Sequence, residues 1–94
     1  MIHTVACLET KLIWAGHRSR KFPSEIEQLA RRKLRMLDAA MSLNDLANPP
    51  SNRLHALHGD RAGQHSISIN MKWRICFVWK DGDAHDVAIT NHYE

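Results

Sequence analysis

Apolar residues in the first half of the chain follow two different spacings. Residues 2–6 (IHTVA) are short, apolar and partly β-branched, which predicts a first strand. Leucine and isoleucine then recur at helical spacing over residues 8–13, and Gly16 is a typical residue for ending that helix. The basic stretch over residues 17–23 is predicted to be a loop.

A longer helix is predicted from Ser24 to about Ala40. Ser24 and Glu27 have the S-x-x-E spacing of a capping box, in which each side chain bonds the other residue's backbone N–H. One further turn, capped by Ser42 and Asp45, is predicted directly after this helix. The apolar residues of the long helix recur at steps of three and four and predict one core-facing stripe: Ile26, Leu29, Ala30, Leu34, Leu37 and Met41.

From Arg53 onward the period of the hydrophobic pattern changes from 3.6 to 2. Alternation predicts strands over residues 64–70, 73–80 and 85–90. The middle strand is apolar on both faces, which is typical of a central strand. Tight turns are predicted between these strands, at Asn70-Met71-Lys72 and at the strong hairpin signal Asp81-Gly82.

This order of elements predicts an α+β fold. The predicted order of elements is β-α-α-β-β-β, and a further strand can follow at the end. The two N-terminal helices are expected to pack on one face of a mostly antiparallel, twisted sheet. Ninety-four residues, at 10.8 kDa, suffice for one modest core that buries roughly 60–65% of the unfolded surface. We therefore expect residues 1–94 to form a single domain.

The charge is unevenly distributed along the chain. The formal net charge is +3, yet residues 11–36 hold eight of the 13 basic residues and two of the ten acidic ones. This segment therefore carries +6 and the remainder −3. Such polarisation favours an anionic partner, either nucleic acid or an acidic protein surface, although a solvated helix face gives the same pattern.

Cellular location is also constrained by the sequence. No apolar stretch approaches the ~20 residues of a membrane span, and the N-terminal residues lack the pattern of a secretory signal. Cys7 and Cys76 have no nearby partner in sequence, so we expect two reduced thiols in the core of a cytoplasmic protein that does not contact membranes.

Seven histidines are many for a chain of this length, and they suggest either proton transfer or metal binding. A zinc site assembled from several of them is one alternative. Neither a Cys pair nor the His-Glu-x-x-His spacing supports it, so we expect no metal ion and no cofactor. The histidines that could contribute to such a site are His55, His58, His65, His85 and His92.

The segment from Asn52 to Tyr93 carries a long ordered motif. It reads NRLHALHGDRAGQHSISINMKWRICFVWKDGDAHDVAITNHY and closely resembles the HigB branch of the RelE-like toxins, whose pattern includes N-R-L-x-x-L-x-G-D-R and W-R-I-C-F. Residues 30–46 (ARRKLRMLDAAMSLNDL) look like the family's second helix, whereas the first thirty residues match more loosely.

The resemblance implies a RelE-like fold and a specific activity. Such toxins are ribosome-dependent endoribonucleases that cut mRNA in the A site of the 70S ribosome. Their partner is HigA, an antitoxin with a helix-turn-helix domain, and the resulting hetero-oligomeric complex represses its own operon. The resemblance therefore predicts the toxin of a type II toxin–antitoxin system.

Cleavage of RNA without a metal requires a base for the 2′-OH proton, a cation for the phosphorane-like transition state and an acid for the leaving oxygen. Alternation places Arg74 on the strand face opposite Trp73 and Ile75, and its planar fork pairs two phosphate oxygens. The family has an active-site Arg at this position, which implies that Arg74 is catalytic.

Two histidines of the motif match positions with family roles. His55 stands where the family often has a catalytic His, which makes it a candidate general base or substrate-orienting group. His58 stands where the family often has Lys, and an imidazole is only partly charged near neutral pH, so phosphate neutralisation there is expected to be weaker.

The C-terminal residues depart from the family pattern. Family members commonly end Asp-Tyr-His, with all three residues implicated in catalysis, whereas this chain reads Asn91-His92-Tyr93. His92 is expected to act as acid or base, and Tyr93 to stack or hydrogen-bond. Because position 91 lacks the carboxylate, we expect slower cleavage.

Further residues are expected to bind RNA, and one departure weakens that set. Ser68 stands where the family prefers Arg, so one guanidinium is missing and moderate toxin potency is predicted. Phosphate contacts supply most sequence-independent affinity for RNA. The remaining candidates for contacts to mRNA or 16S rRNA are Arg53, Arg61, Lys72, Arg31, Arg32 and Arg35. The last three, which belong to the long helix, are also candidates for antitoxin binding.

Two further classes of protein stay open at this point. A plain RNA-binding module fits the basic segment and the three tryptophans, although these alternate with aliphatic residues as core residues do. A weakened toxin, or a partner-binding protein that inhibits growth without cutting mRNA, fits the altered C-terminus.

Overall fold

The computed structural model describes residues 1–91. Its strands form one antiparallel sheet, in which they lie in the order of the chain, and 3-10 turns at Leu43–Ala47, Pro50–Asn52 and Gly59–Arg61 join the elements. The helices and strands are α1 (Leu8–Trp14), α2 (Ser24–Ala39), β1 (His55–Ala56), β2 (His65–Ser68), β3 (Arg74–Lys80) and β4 (Asp83–Thr90). The predicted α+β class and the central position of β3 are confirmed.

The expected first strand is not a regular strand. Residues 2–6 touch β4 through two isolated parallel bridges, Ile2 to Ala84 and Val5 to Val87. Between these two bridges β4 is irregular in its pairing with β3, and there Asp86 takes a left-handed conformation (φ 52°) and its N–H donates to Thr4 Oγ1 over 2.8 Å. A side-chain hydrogen bond thus replaces the ladder bond that would make the pairing continuous.

Helix α2 begins at Ser24 as predicted, but the capping box there is wrong. Ser24 is not the N-cap, since Pro23 holds that place and makes no side-chain cap bond. The Glu27 carboxylate instead accepts the Ser19 N–H over 3.4 Å and lies 3.9 Å from Arg18 Nε. The loop before α2 therefore uses Glu27 as its anchor.

The core-facing stripe of α2 is largely confirmed. Ile26, Ala30, Leu34 and Leu37 are at most 2% exposed. Leu29 is only partly buried, and Met41 is 85% exposed, because the helix ends at Ala39 and the chain turns away before Met41. The turn predicted after the helix forms as a 3-10 turn, in which the Asp45 carboxylate accepts the N–H groups of Met41 and Ser42. These bonds lower the pKa of that carboxyl.

A buried amide joins α2 to the turns that follow it. Asn52 is fully buried, and its Nδ2 donates to the carbonyl oxygens of Leu46 and Asn48 over 3.1 and 3.2 Å. Its Oδ1 accepts a hydrogen bond from the ammonium of Lys33. This network fixes the start of the sheet against α2.

Replacing Asn52 with Ala should destabilise the protein by about 3 kcal/mol, since two buried carbonyls and one buried ammonium lose their partner. The melting temperature should fall by more than about 10 °C. Asn44→Ala is the matched control, because Asn44 is exposed. Equal melting temperatures for the two variants would contradict a structural role for the network.

The two faces of the sheet differ in chemistry. Toward the helices lie the buried residues Ile67, Ile75, Phe77, Val87 and Ile89.

The predicted hairpin is confirmed, with Asp81 and Gly82 at φ 54° and 80°. In residues 1–91 no helix has both the length and the apolar character needed to cross a membrane.

Candidate active site

The sheet face opposite the helices carries two rows of cross-strand neighbours. One row joins His55, Ser66, Cys76 and Ala88 across all four strands. The adjacent row joins Ser68, Arg74 and Thr90. Directly paired residues point to the same face with Cβ atoms about 5 Å apart. Register therefore brings the two predicted catalytic residues, Arg74 and His55, to one patch.

Arg74 is held by hydrogen bonds from two directions. Its Nε donates to Ser66 Oγ over 2.8 Å, and its Nη2 donates to the backbone oxygen of Arg53 over 2.9 Å. The residue is 4% exposed. A guanidinium fixed in this way presents its charge in one orientation, and the low local dielectric strengthens its field.

His55 lies directly against this guanidinium. Its Nδ1 is 3.1 Å from Arg74 Nη2 and 3.2 Å from the backbone oxygen of Arg53. The two contacts of Nδ1 require different tautomers, because a guanidinium only donates and a carbonyl only accepts. With the proton on Nε2, Nδ1 accepts from Arg74; with the proton on Nδ1, Nδ1 donates to the Arg53 carbonyl and the Nε2 lone pair is available as a base. His55 itself is exposed.

Arg53 has a role that its side chain does not suggest. Its guanidinium is a predicted RNA contact, yet its main-chain oxygen orients both Arg74 and His55. The residue ends the Pro50–Asn52 turn in a left-handed conformation (φ 49°). Ser66 is absent from the predicted site residues, although alternation along β2 already places its hydroxyl on the Arg74 face.

The end of the described chain lies beside Arg74. Thr90 pairs with Arg74 in the β3–β4 ladder, and Asn91 follows it directly and is partly buried. The predicted site residues His92 and Tyr93 lie outside the described residues. The sheet therefore places Asn91 near the guanidinium of Arg74.

Two further candidates, His58 and Arg61, lie at the turn that precedes β2. His58 is exposed just before the Gly59–Arg61 turn, and Arg61 Nη1 donates to Gln64 Oε1 over 3.2 Å. Burial raises the pKa of the Cys76 thiol, and the nearby guanidinium groups of Arg61 and Arg74 act in the opposite direction.

Lys72 is placed by the predicted turn before β3. Asn70 Oδ1 accepts the backbone N–H groups of Lys72 and Trp73 over 2.9 and 2.7 Å. This Asx-type turn holds Lys72 exposed two residues before Arg74.

The basic residues of α2 lie on a different surface. Arg32 and Arg35 are exposed and, with Gln28 and Arg31, line a shallow pocket of about 250 Å³. Arg31 also caps α1, since its Nε and Nη2 donate to the oxygens of Ile13 and His17 over 3.0 and 2.8 Å. Because α2 packs on the other face of the sheet, this cluster is not part of the Arg74 patch.

The histidines that could contribute to a metal site are dispersed in the structure. His65 stacks on Phe77 at 6.3 Å toward the helix side, and His85 contacts His3 at 4.8 Å near the N-terminus. Over residues 1–91 no three His, Cys, Asp or Glu side chains are grouped as metal ligands. Both cysteines are free thiols, Cys76 buried and Cys7 only partly so.

Comparison with known proteins decides the family. The model of the RelE-like toxin of the type II toxin–antitoxin system HigB matches residues 10–92. The chain belongs to this HigB-like toxin family. It is 43% identical over 75 residues to Toxin HigB-1 of Vibrio cholerae, an alignment that covers 80% of this chain and 79% of the relative.

Two further comparisons concern a second HigB relative and the fold. Endoribonuclease HigB of Proteus vulgaris is 40% identical over 53 residues, which cover 56% of each chain. The crystal structure of a YafQ mutant from E. coli superposes with a TM-score of 0.58 at 14% identity, over 92% of this chain and 88% of that one. The latter likeness confirms the predicted RelE-like fold.

Proposed function

We propose that this HigB-like toxin is a ribosome-dependent endoribonuclease that cuts mRNA in the A site without a metal ion. The observation that carries the proposal is the contact between Arg74 Nη2 and His55 Nδ1 on the sheet face opposite the helices. A fixed cation beside an exposed imidazole supplies the two groups that 2′-OH attack requires. The name of the Proteus vulgaris relative, an endoribonuclease, agrees with this activity.

The reaction follows from these positions. His55 Nε2 takes the 2′-OH proton, the 2′ oxygen attacks the adjacent phosphorus, and the bond from phosphorus to the 5′ oxygen breaks. The products are a 2′,3′-cyclic phosphate and a 5′-OH. A phosphate that approaches beside His55 meets the guanidinium of Arg74, which stabilises the charge of the transition state.

The remaining catalytic roles rest on sequence. His92 is proposed to protonate the leaving 5′ oxygen, and Tyr93 to stack on or hydrogen-bond the nucleotide. Asn91 lacks the carboxylate of the family, Ser68 lacks its guanidinium and His58 its ammonium. Because each change removes a charge from the site, we propose moderate rather than high potency.

The proposed partners follow from family membership and charge. A type II toxin has an antitoxin, and we propose a HigA-type helix-turn-helix protein that forms a hetero-oligomeric complex and represses the shared operon. Arg31, Arg32 and Arg35 are proposed to contact 16S rRNA. Arg32 and Arg35 are exposed and can bind phosphate, whereas the partly buried Arg31 has only the part of its guanidinium that does not bond Ile13 and His17. Action on ribosomes implies a cytoplasmic location.

Mapping of mRNA ends on purified translating ribosomes tests this function. Primer extension after addition of the toxin should show new 5′ ends in phase with codons, and omission of ribosomes should abolish them. Inhibition of translation with intact mRNA would contradict the proposal and favour a toxin that binds without cutting.

A further inference from the structure

The side chain of Arg74 crosses a whole strand to reach its partners. It starts on β3, and its Nη2 ends 3.1 Å from Nδ1 of His55, which belongs to β1. Strand β2 lies between β1 and β3 in the sheet. The side chain of Arg74 therefore passes over β2, and the residues of β2 on that face determine its course.

Two serines of β2 lie on the face that Arg74 crosses. Ser68 pairs directly with Arg74, whereas Ser66 pairs with Cys76 and is thus the diagonal neighbour of Arg74. A diagonal neighbour is within reach of a long side chain, and Arg74 Nε donates to Ser66 Oγ over 2.8 Å. Ser66 also pairs with His55. Its hydroxyl therefore lies between the backbone of Arg74 and the imidazole that the guanidinium contacts.

The hydroxyl of Ser66 holds the guanidinium at a second point. The first is Nη2, which donates to the carbonyl of Arg53 over 2.9 Å. Because the guanidinium is planar, bonds at Nε and at Nη2 together fix its orientation, whereas a plane held at Nη2 alone can turn about that bond. Ser66 is 0% exposed, so bulk water does not compete for its oxygen. A buried hydrogen bond from a cation is also stronger than one between neutral groups.

We propose that Ser66 is a positioning residue for mRNA cleavage, whose hydroxyl sets the orientation of the Arg74 guanidinium at the scissile phosphate. The inference rests on the proposed endoribonuclease function. Because Ser66 is fully buried, its side chain does not touch the message and acts through Arg74. Loss of the hydroxyl should therefore slow the chemical step and leave binding of the toxin to the ribosome unchanged. Misplacement of a reacting group by about 1 Å costs on the order of a hundredfold in rate.

Single-turnover cleavage on ribosomes loaded with mRNA, measured over a range of toxin concentrations, tests this role. Ser66→Ala should lower the saturating rate by roughly ten- to a hundredfold and change the half-saturating concentration by less than about twofold. Ser19→Ala is the matched control. Ser19 is also buried, and its Oγ accepts the backbone N–H of Lys21 over 3.3 Å on the loop before α2. It should cleave at the wild-type rate, and thermal unfolding shows whether the two variants lose similar stability.

A double-mutant cycle separates positioning from a general loss of structure. Arg74→Met removes every N–H of that side chain, so Ser66→Ala should change the remaining rate by less than about twofold in this background. Equal reduction by Ser66→Ala in both backgrounds, a wild-type rate for folded Ser66→Ala, or a change in the half-saturating concentration alone would overturn the positioning role and leave the proposed function standing. Intact mRNA with the wild-type toxin would overturn both.

Discussion

Replacing Arg74 with Gln is expected to reduce mRNA cleavage by about a thousandfold. Removal of one preorganised donor to a developing oxyanion costs roughly a hundred- to a thousandfold in rate, and Arg74 supplies a full charge as well. The variant also leaves Ser66 Oγ and the Arg53 carbonyl without this donor, so the free energy of unfolding should fall by about 2 kcal/mol. The measurements are single-turnover cleavage on loaded ribosomes and thermal unfolding.

Arg74→Lys is the control that separates charge from geometry. It keeps the cation but loses the planar fork that contacts Ser66 and Arg53 together, so cleavage should remain at least about tenfold below wild type. If folded Arg74→Gln cleaves mRNA at the wild-type rate, Arg74 has no catalytic role.

Replacing His55 with Ala should lower the cleavage rate by roughly a hundred- to ten-thousandfold, the usual contribution of a positioned general base. The exposed position of His55 predicts little loss of stability, in contrast to Arg74. The pH profile of cleavage is the more specific readout, because the limb that reports deprotonation of the base should disappear in the variant.

His17→Ala serves as the matched control for His55. His17 is exposed on the loop after α1, and the substitution keeps its backbone oxygen, which accepts from Arg31. It should leave the rate and pH profile unchanged. A His55→Ala variant with an unaltered pH profile would assign the base to another residue.

Much of the fold is predictable because periodic burial dominates these elements. Helix α2 places Ile26, Leu34 and Leu37 in the core as their spacing predicts, and β3 is central as its two apolar faces predict. Boundary details depend instead on tertiary contacts. Glu27 bonds the Ser19 N–H rather than forming a local cap, and the irregularity of β4 at Asp86 prevents a regular N-terminal strand.

The site is only partly predictable from sequence. Alternation places Arg74 on the sheet face opposite the helices, and the family motif points to His55. The carbonyl of Arg53 is not predictable, because its orientation depends on a left-handed residue in an irregular turn. The burial of Lys33 is not predictable either, since its charge run is typical of a solvated face and Asn52 lies 19 residues further along the chain.

The chemistry of the cut ends tests the central claim most directly. A synthetic mRNA with a 2′-deoxy nucleotide on the 5′ side of the cut is placed in the ribosomal A site, and the products are analysed by mass spectrometry. Attack by the 2′ oxygen predicts that this message stays intact, whereas the unmodified message yields a 2′,3′-cyclic phosphate and a 5′-OH. Cleavage of both messages at equal rates would contradict the catalytic roles of His55 and Arg74.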